Sequence, residues 1–125
     1  MIDVSYENLF QIIQPSLPDG WVKLIVRVFF VEESCQVKYY IKQKNGKTCD
    51  CFNLDYSQHQ VLQIIANVHQ EISSVRDQLT GKNRWNALTV IIDNKGSFHA
   101  DFDYSEIVWK TENATEQWKK KYLSD

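Results

Sequence analysis

The chemically densest stretch of the chain is Ser97-Phe98-His99-Ala100-Asp101-Phe102-Asp103-Tyr104. Read as a strand, it sends Phe98, Ala100, Phe102 and Tyr104 to one face and His99, Asp101 and Asp103 to the other. Aspartate is a poor strand former, so two of them on one strand face need a reason. Asp93, closing the preceding apolar run, and Glu106, just beyond, extend the acidic group. Three kinds of chemistry suit such a strip. A D-x-D beside a histidine can hold a divalent cation for hydrolysis, although the sequence offers no further ligand set. An acidic strip can instead meet a basic patch on a protein partner, steering association and fixing register. The plainest alternative is a solvated sheet face whose aspartates pair with Lys23, Arg27 or Lys38 on neighbouring strands, each pair worth little. Partner binding is the functional reading, with Asp93, His99, Asp101, Asp103 and Glu106 as the candidate contact residues.

Other reactive side chains are less organised. Cys49-Asp50-Cys51 is a C-x-C, but on a strand its two thiols point to opposite faces, and no second pair has zinc-finger spacing. His59, His69 and His99 are scattered, and the two on the long helix are not four residues apart. A nucleophile needs a base and a recognisable local turn. There is no G-x-S-x-G elbow and no phosphate-binding glycine loop, with only 4 glycines in the chain. A Cys–His pair assembled in space stays open at this level; small buried cysteine side chains are the simpler reading. Near the C-terminus, Trp118-Lys119-Lys120-Lys121-Tyr122-Leu123 flanks a basic run with aromatics, as single-strand binders do. On a helix, however, Trp118 and Tyr122 share one face while the lysines spread over the solvated side, which points to core anchoring. The sequence thus predicts no catalytic residue, metal or cofactor.

Composition narrows the class further. The chain has 125 residues, 43% hydrophobic and 24% charged, an ordinary balance for one domain spanning 1–125. A formal net charge of −2 lacks the basic excess of a nucleic-acid binder. The start, Met1-Ile2-Asp3-Val4-Ser5-Tyr6-Glu7, has no basic region followed by an apolar one, so no export signal is expected. No apolar run has the length of a membrane span, and no membrane partner is expected. The odd cysteine count, Cys35, Cys49 and Cys51, suits reduced thiols in the cytoplasm.

The elements that must position these residues follow from periodicity and punctuation. A first helix, roughly Asp3 to Gln14, puts Leu9, Phe10, Ile12 and Ile13 on one side before Pro15 and Pro18 stop it. Trp21 to Val31 is the strongest strand: Val22, Leu24, Val26, Val28 and Phe30 on one face, Trp21, Ile25 and Phe29 on the other, interrupted by Lys23 and Arg27. Such a strand suits a central position with a helix against it. A second strand runs from about Gln36 to Lys42, Asn45-Gly46 signals a tight turn, and a third strand continues through Thr48 to Leu54. Ser57 and Gln60 then open a helix from about Gln58 to Thr80, with Val61, Ile65, Val68, Ile72, Val75 and Leu79 in one stripe and Gly81 just past its end. Strands near Ala87 to Asp93 and Ser97 to Tyr104, joined by Asn94-Lys95-Gly96, precede a closing helix, about Glu112 to Leu123, with Ala114, Trp118 and Tyr122 on one face. The expected fold is α+β, an antiparallel sheet of about five strands with helices packed on it, in the order α-β-β-β-α-β-β-α.

Several of these segments together resemble the YezG-like family of immunity proteins. The likeness is clearest in a strand ending Phe98-x-x-Asp101-Phe102-x-Tyr104, an acidic turn, and a helix closing on Trp118-x-x-Lys121-Tyr122-Leu123. It continues in Leu17-Pro18-x-Gly20-Trp21-x-Lys23-Leu24 and in the long middle helix, and so covers most of the chain. The resemblance implies an antitoxin that neutralises a secreted or contact-delivered bacterial toxin, with a nuclease domain as the expected partner. Such an inhibitor needs no catalytic group and waits in the cytoplasm. A nuclease cleft is basic, and an acidic strip can occupy it as phosphates would.

Overall fold

The computed structural model describes residues 5–31, 34–54, 56–81, 84–104 and 111–123. The elements are α1 (Tyr6–Ile13), β1 (Trp21–Val31), β2 (Ser34–Gln43), β3 (Thr48–Asp50), α2 (Gln58–Arg76), β4 (Ala87–Asp93), β5 (Phe98–Asp103) and α3 (Glu112–Tyr122). This is the order expected from the sequence. All neighbouring strands are antiparallel, in the spatial order β3-β2-β1-β4-β5. Two locally connected groups of strands therefore meet along one long-range ladder, β1 against β4, in which Val26 lies opposite Val90.

Side-chain caps set the helix starts. Ser5, Ser57 and Thr111 accept from the backbone N–H groups of Asn8, Gln60 and Ala114, satisfying donors that the first turn cannot. The Asp3 start expected for α1 lies outside the described residues. Two turns depend on glycines with positive φ, Gly46 between β2 and β3 and Gly96 between β4 and β5.

Helices cover both faces of the sheet. On one face, α1 and α2 close a large core: Leu9 and Ile13 of α1 and Val61, Ile64, Val68 and Ile72 of α2 meet Leu24, Val26, Val28, Tyr39, Ile41, Leu88 and Val90. Inside it the Tyr39 hydroxyl lies 2.9 Å from Ser16 Oγ, which also donates to the Ile13 carbonyl at 2.8 Å. On the other face α3 brings Trp118 against Ile25 and Tyr40.

Three expectations are corrected in detail. Trp21 does not share a face with Ile25. A register shift between Trp21 and Lys23 turns it toward α1, where its ring lies 5.8 Å from that of Phe10. The third strand stops at Asp50 rather than Leu54, because the Asp50 carboxylate accepts from Phe52 N–H at 2.9 Å and starts a 3-10 turn over Cys51–Asn53. The long helix ends at Arg76 rather than Thr80, and its buried stripe is Val61, Ile64, Val68, Ile72 and Arg76, with Ile65 half-buried. Arg76 turns inward: Nε donates to the Trp85 carbonyl at 2.7 Å, and the guanidinium lies 3.9 Å from the centre of the Phe30 ring. Gly81 is left-handed, as expected, but closes the segment after the helix rather than the helix itself.

Candidate functional site

β5 forms one edge of the sheet, and no strand lies beyond it among the described residues. Its side-chain alternation is as expected. His99, Asp101 and Asp103 lie opposite Ile91, Thr89 and Ala87 of β4, and Phe98, Ala100 and Phe102 lie opposite Ile92, Val90 and Leu88. The polar set faces α3; the apolar set faces α1 and α2.

On the α3 side, Asp101 is the hub. One carboxylate oxygen lies 2.9 Å from His99 Nε2, and the other accepts from the Tyr122 hydroxyl at 2.8 Å. The Tyr122 bond, assisted by His99, holds the Asp101 carboxyl below its ordinary range despite some desolvation. The same contact and, more strongly, burial push the Tyr122 phenol up to about 12. One strand further in, Trp118 Nε1 donates to Thr89 Oγ1 at 2.8 Å. Arg27 on β1 is buried and donates to Thr115 Oγ1 at 3.1 Å; its guanidinium lies 5.2 Å from the Trp118 ring. Desolvation lowers the Arg27 pKa. Buried Arg27 and Thr89 are thus both bonded to α3, whereas His99 and Asp101, further out on the same face, stay partly open to solvent.

The five candidate contact residues are thus dispersed in role. His99 and Asp101 are joined. Asp103 follows at the end of the same strand face. Asp93 stands apart: its Oδ1 accepts from the N–H groups of Lys95 at 2.9 Å and Ser97 at 3.0 Å, so it builds the β4–β5 turn. Glu106 lies outside the described residues. Of the cations considered as partners for the strip, Lys38 lies 3.5 Å from Asp50 of β3. Among the described residues, no three His, Cys, Asp or Glu side chains converge as metal ligands would. Burial raises the thiol of Cys35, to about 11, and that of Cys51, which makes both poor nucleophiles near neutrality.

Sequence reasoning missed the aromatic side of the same edge. Phe98 is 58% exposed and Tyr104 54% exposed, among the most exposed large apolar side chains of the described residues. The Phe98 ring lies 4.6 Å from that of Tyr6. Together with Phe10 and Trp21 they line a cleft of about 370 Å³, with Glu7 and Asp93 on its wall. The alternation of β5 named Phe98 as apolar. Its exposure follows only from the edge position of the strand and from the bulge that turns Trp21 toward α1.

An antiparallel sheet covered on both faces, with an edge strand aromatic on one side and acidic on the other, defines a binding domain more readily than a reaction centre. The chain belongs to the YezG-like immunity protein family, whose model matches residues 2–124. No curated protein matches it. Family membership gives the chain an antitoxin role and, with it, a cognate toxin as binding partner.

Proposed function

We propose that the chain is the cytoplasmic, non-catalytic inhibitor of a nuclease toxin, which it neutralises by direct binding as one domain. The observation that carries this reading is the family match over residues 2–124, an immunity family. The acidic face of β5 supports a nuclease as the target. Asp101 stays ionised, with its side chain 41% exposed, and offers a nucleic-acid-binding cleft the charge it is built to hold. A standard interface of roughly 1,600 Å² in total is expected.

The first test is co-expression with a candidate cognate toxin domain, scoring growth rescue and co-purification together. Rescue with a stable complex is expected; failure of both, with each partner folded, would remove the reading. The charge mechanism has its own test. Asp101→Lys with Asp103→Lys is expected to weaken toxin binding by more than about tenfold. Unchanged affinity of the folded double variant would place the interface elsewhere on the domain.

A further inference from the structure

The outer edge of β5 has a definite hydrogen-bonding phase. Asp93 N–H donates to the Ser97 carbonyl at 3.0 Å, making these two residues a bonded pair of the β4–β5 ladder. Such pairs recur every second residue, so His99, Asp101 and Asp103 turn their backbone groups toward β4. Phe98, Ala100 and Phe102 then direct their N–H and C=O groups away from the sheet. An edge of this kind is a template for another strand, and proteins ordinarily blunt it with a short strand, a proline or a cover. The opposite edge of the sheet is blunted in this way: β3 spans only Thr48–Asp50 and ends in a capped turn. β5 spans Phe98–Asp103, twice that length, and contains no proline.

From this asymmetry we infer that the toxin is captured by strand addition: an extended toxin segment pairs with the Phe98, Ala100 and Phe102 backbone and continues the sheet. The inference rests on the antitoxin reading above and names the surface and the chemistry of its partner. Side-chain alternation carries across an added strand. On the α1 side, every second residue of the segment meets the Phe98 and Tyr104 rings and the mouth of the aromatic cleft, and is apolar. On the α3 side, the intervening residues meet His99, Asp101 and Asp103, and are basic. The partner is therefore a segment alternating apolar and basic side chains, recognised through main-chain bonds for affinity and through the two faces for register.

Hydrogen–deuterium exchange on the full chain, alone and bound to the co-expressed toxin domain, tests this directly. In the complex the Phe98, Ala100 and Phe102 amides should slow by at least about a hundredfold. An Ala100→Pro variant removes only an outward-facing N–H, a position at which edge strands accept proline. It should lose about tenfold or more in affinity while keeping its thermal transition. A complex in which those three amides exchange as in the free protein would overturn strand addition and leave the antitoxin reading standing. Absence of any complex would remove both. Protection that grows with concentration in the free protein would show that a second copy of the chain takes the edge, and would overturn the assignment to the toxin.

Discussion

The two faces of the sheet are held by different physics. Toward α1 and α2 the contacts are almost wholly apolar, with Leu24, Val26, Val28, Ile41, Val61, Val68, Ile72, Leu88 and Val90 fully buried. Toward α3 a smaller apolar cluster of Ile25, Tyr40 and Trp118, with Ile91, Tyr122 and Leu123 packed against it, is joined by directed bonds from Arg27, Thr89, Asp101 and Tyr122. Apolar packing is nondirectional and collectively large, whereas a buried hydrogen bond contributes about 1 kcal/mol net but is costly to leave half-made. The first face fixes the fold. The second fixes where one helix lies and how the acidic side of β5 is presented.

The difference should show most strongly in core truncations. Leu24→Ala, on the α1/α2 face at the centre of the sheet, should cost about 3 kcal/mol in chemical denaturation. A loss below about 1 kcal/mol would mean that this face is not the principal core. Trp118→Ala should cost less, about 2 kcal/mol, because its effect is capped by the free energy of releasing α3. Its signature should be exchange of the α3 amides at nearly unprotected rates while those of β1 and β4 stay slow. Uniform loss of protection across the molecule would show that α3 is as integral as the other helices.

Smaller effects test individual polar contacts. Tyr39→Phe, on the first face, deletes the hydroxyl beside Ser16 and should cost about 1 kcal/mol, since Ser16 keeps its bond to the Ile13 carbonyl. Alkaline titration compares the two faces in one experiment. The phenols of Tyr39 and Tyr122 are pushed from 10.0 to about 12, and the Cys35 thiol from 9.0 to about 11, in each case chiefly by burial. Because the unfolded chain ionises first, their contribution is fully present below about pH 9 and is lost as pH rises to about 12. Tyr39→Phe and Tyr122→Phe should each flatten that fall; a slope unchanged by both would show that these phenols are not the cause. The smallest effect is acidic. The Asp101 carboxyl is depressed by its Tyr122 bond, so its contribution is present above its unfolded value and disappears as pH falls through the lower folded value. Asp101→Asn should remove that acid-side dependence and, with it, the small contribution that the carboxylate makes at neutral pH.

Much of this was legible in the sequence, for identifiable reasons. The order of elements follows from periodicity and turn residues, and the faces of β1 and β5 follow from strict alternation. Arg76 was not legible because a search for an apolar stripe passes over an arginine, although it stands four residues beyond Ile72 on the buried side. The position of Trp21 depends on one bulge, which alternation cannot foresee. The placing of β4 beside β1, leaving β5 at an edge, is a choice between distant strands that no local pattern encodes. For the candidate site, residue types gave the acidic side of β5, but Asp93 was counted with it although it serves the turn. The donor role of Tyr122 could have been suspected from its phenol, since a buried tyrosine hydroxyl needs a partner. The aromatic cleft needed three dimensions.

The β1–β4 ladder, finally, is the only strand pairing that joins the first three strands to the last two among the described residues. A chain cut after the exposed Gly81 would yield one piece with β1, β2, β3 and α2 and another with β4, β5 and α3. The molecule can be regarded as two fragments that recognise each other, and the dissociation constant of their complementation would report the strength of that seam without any denaturant.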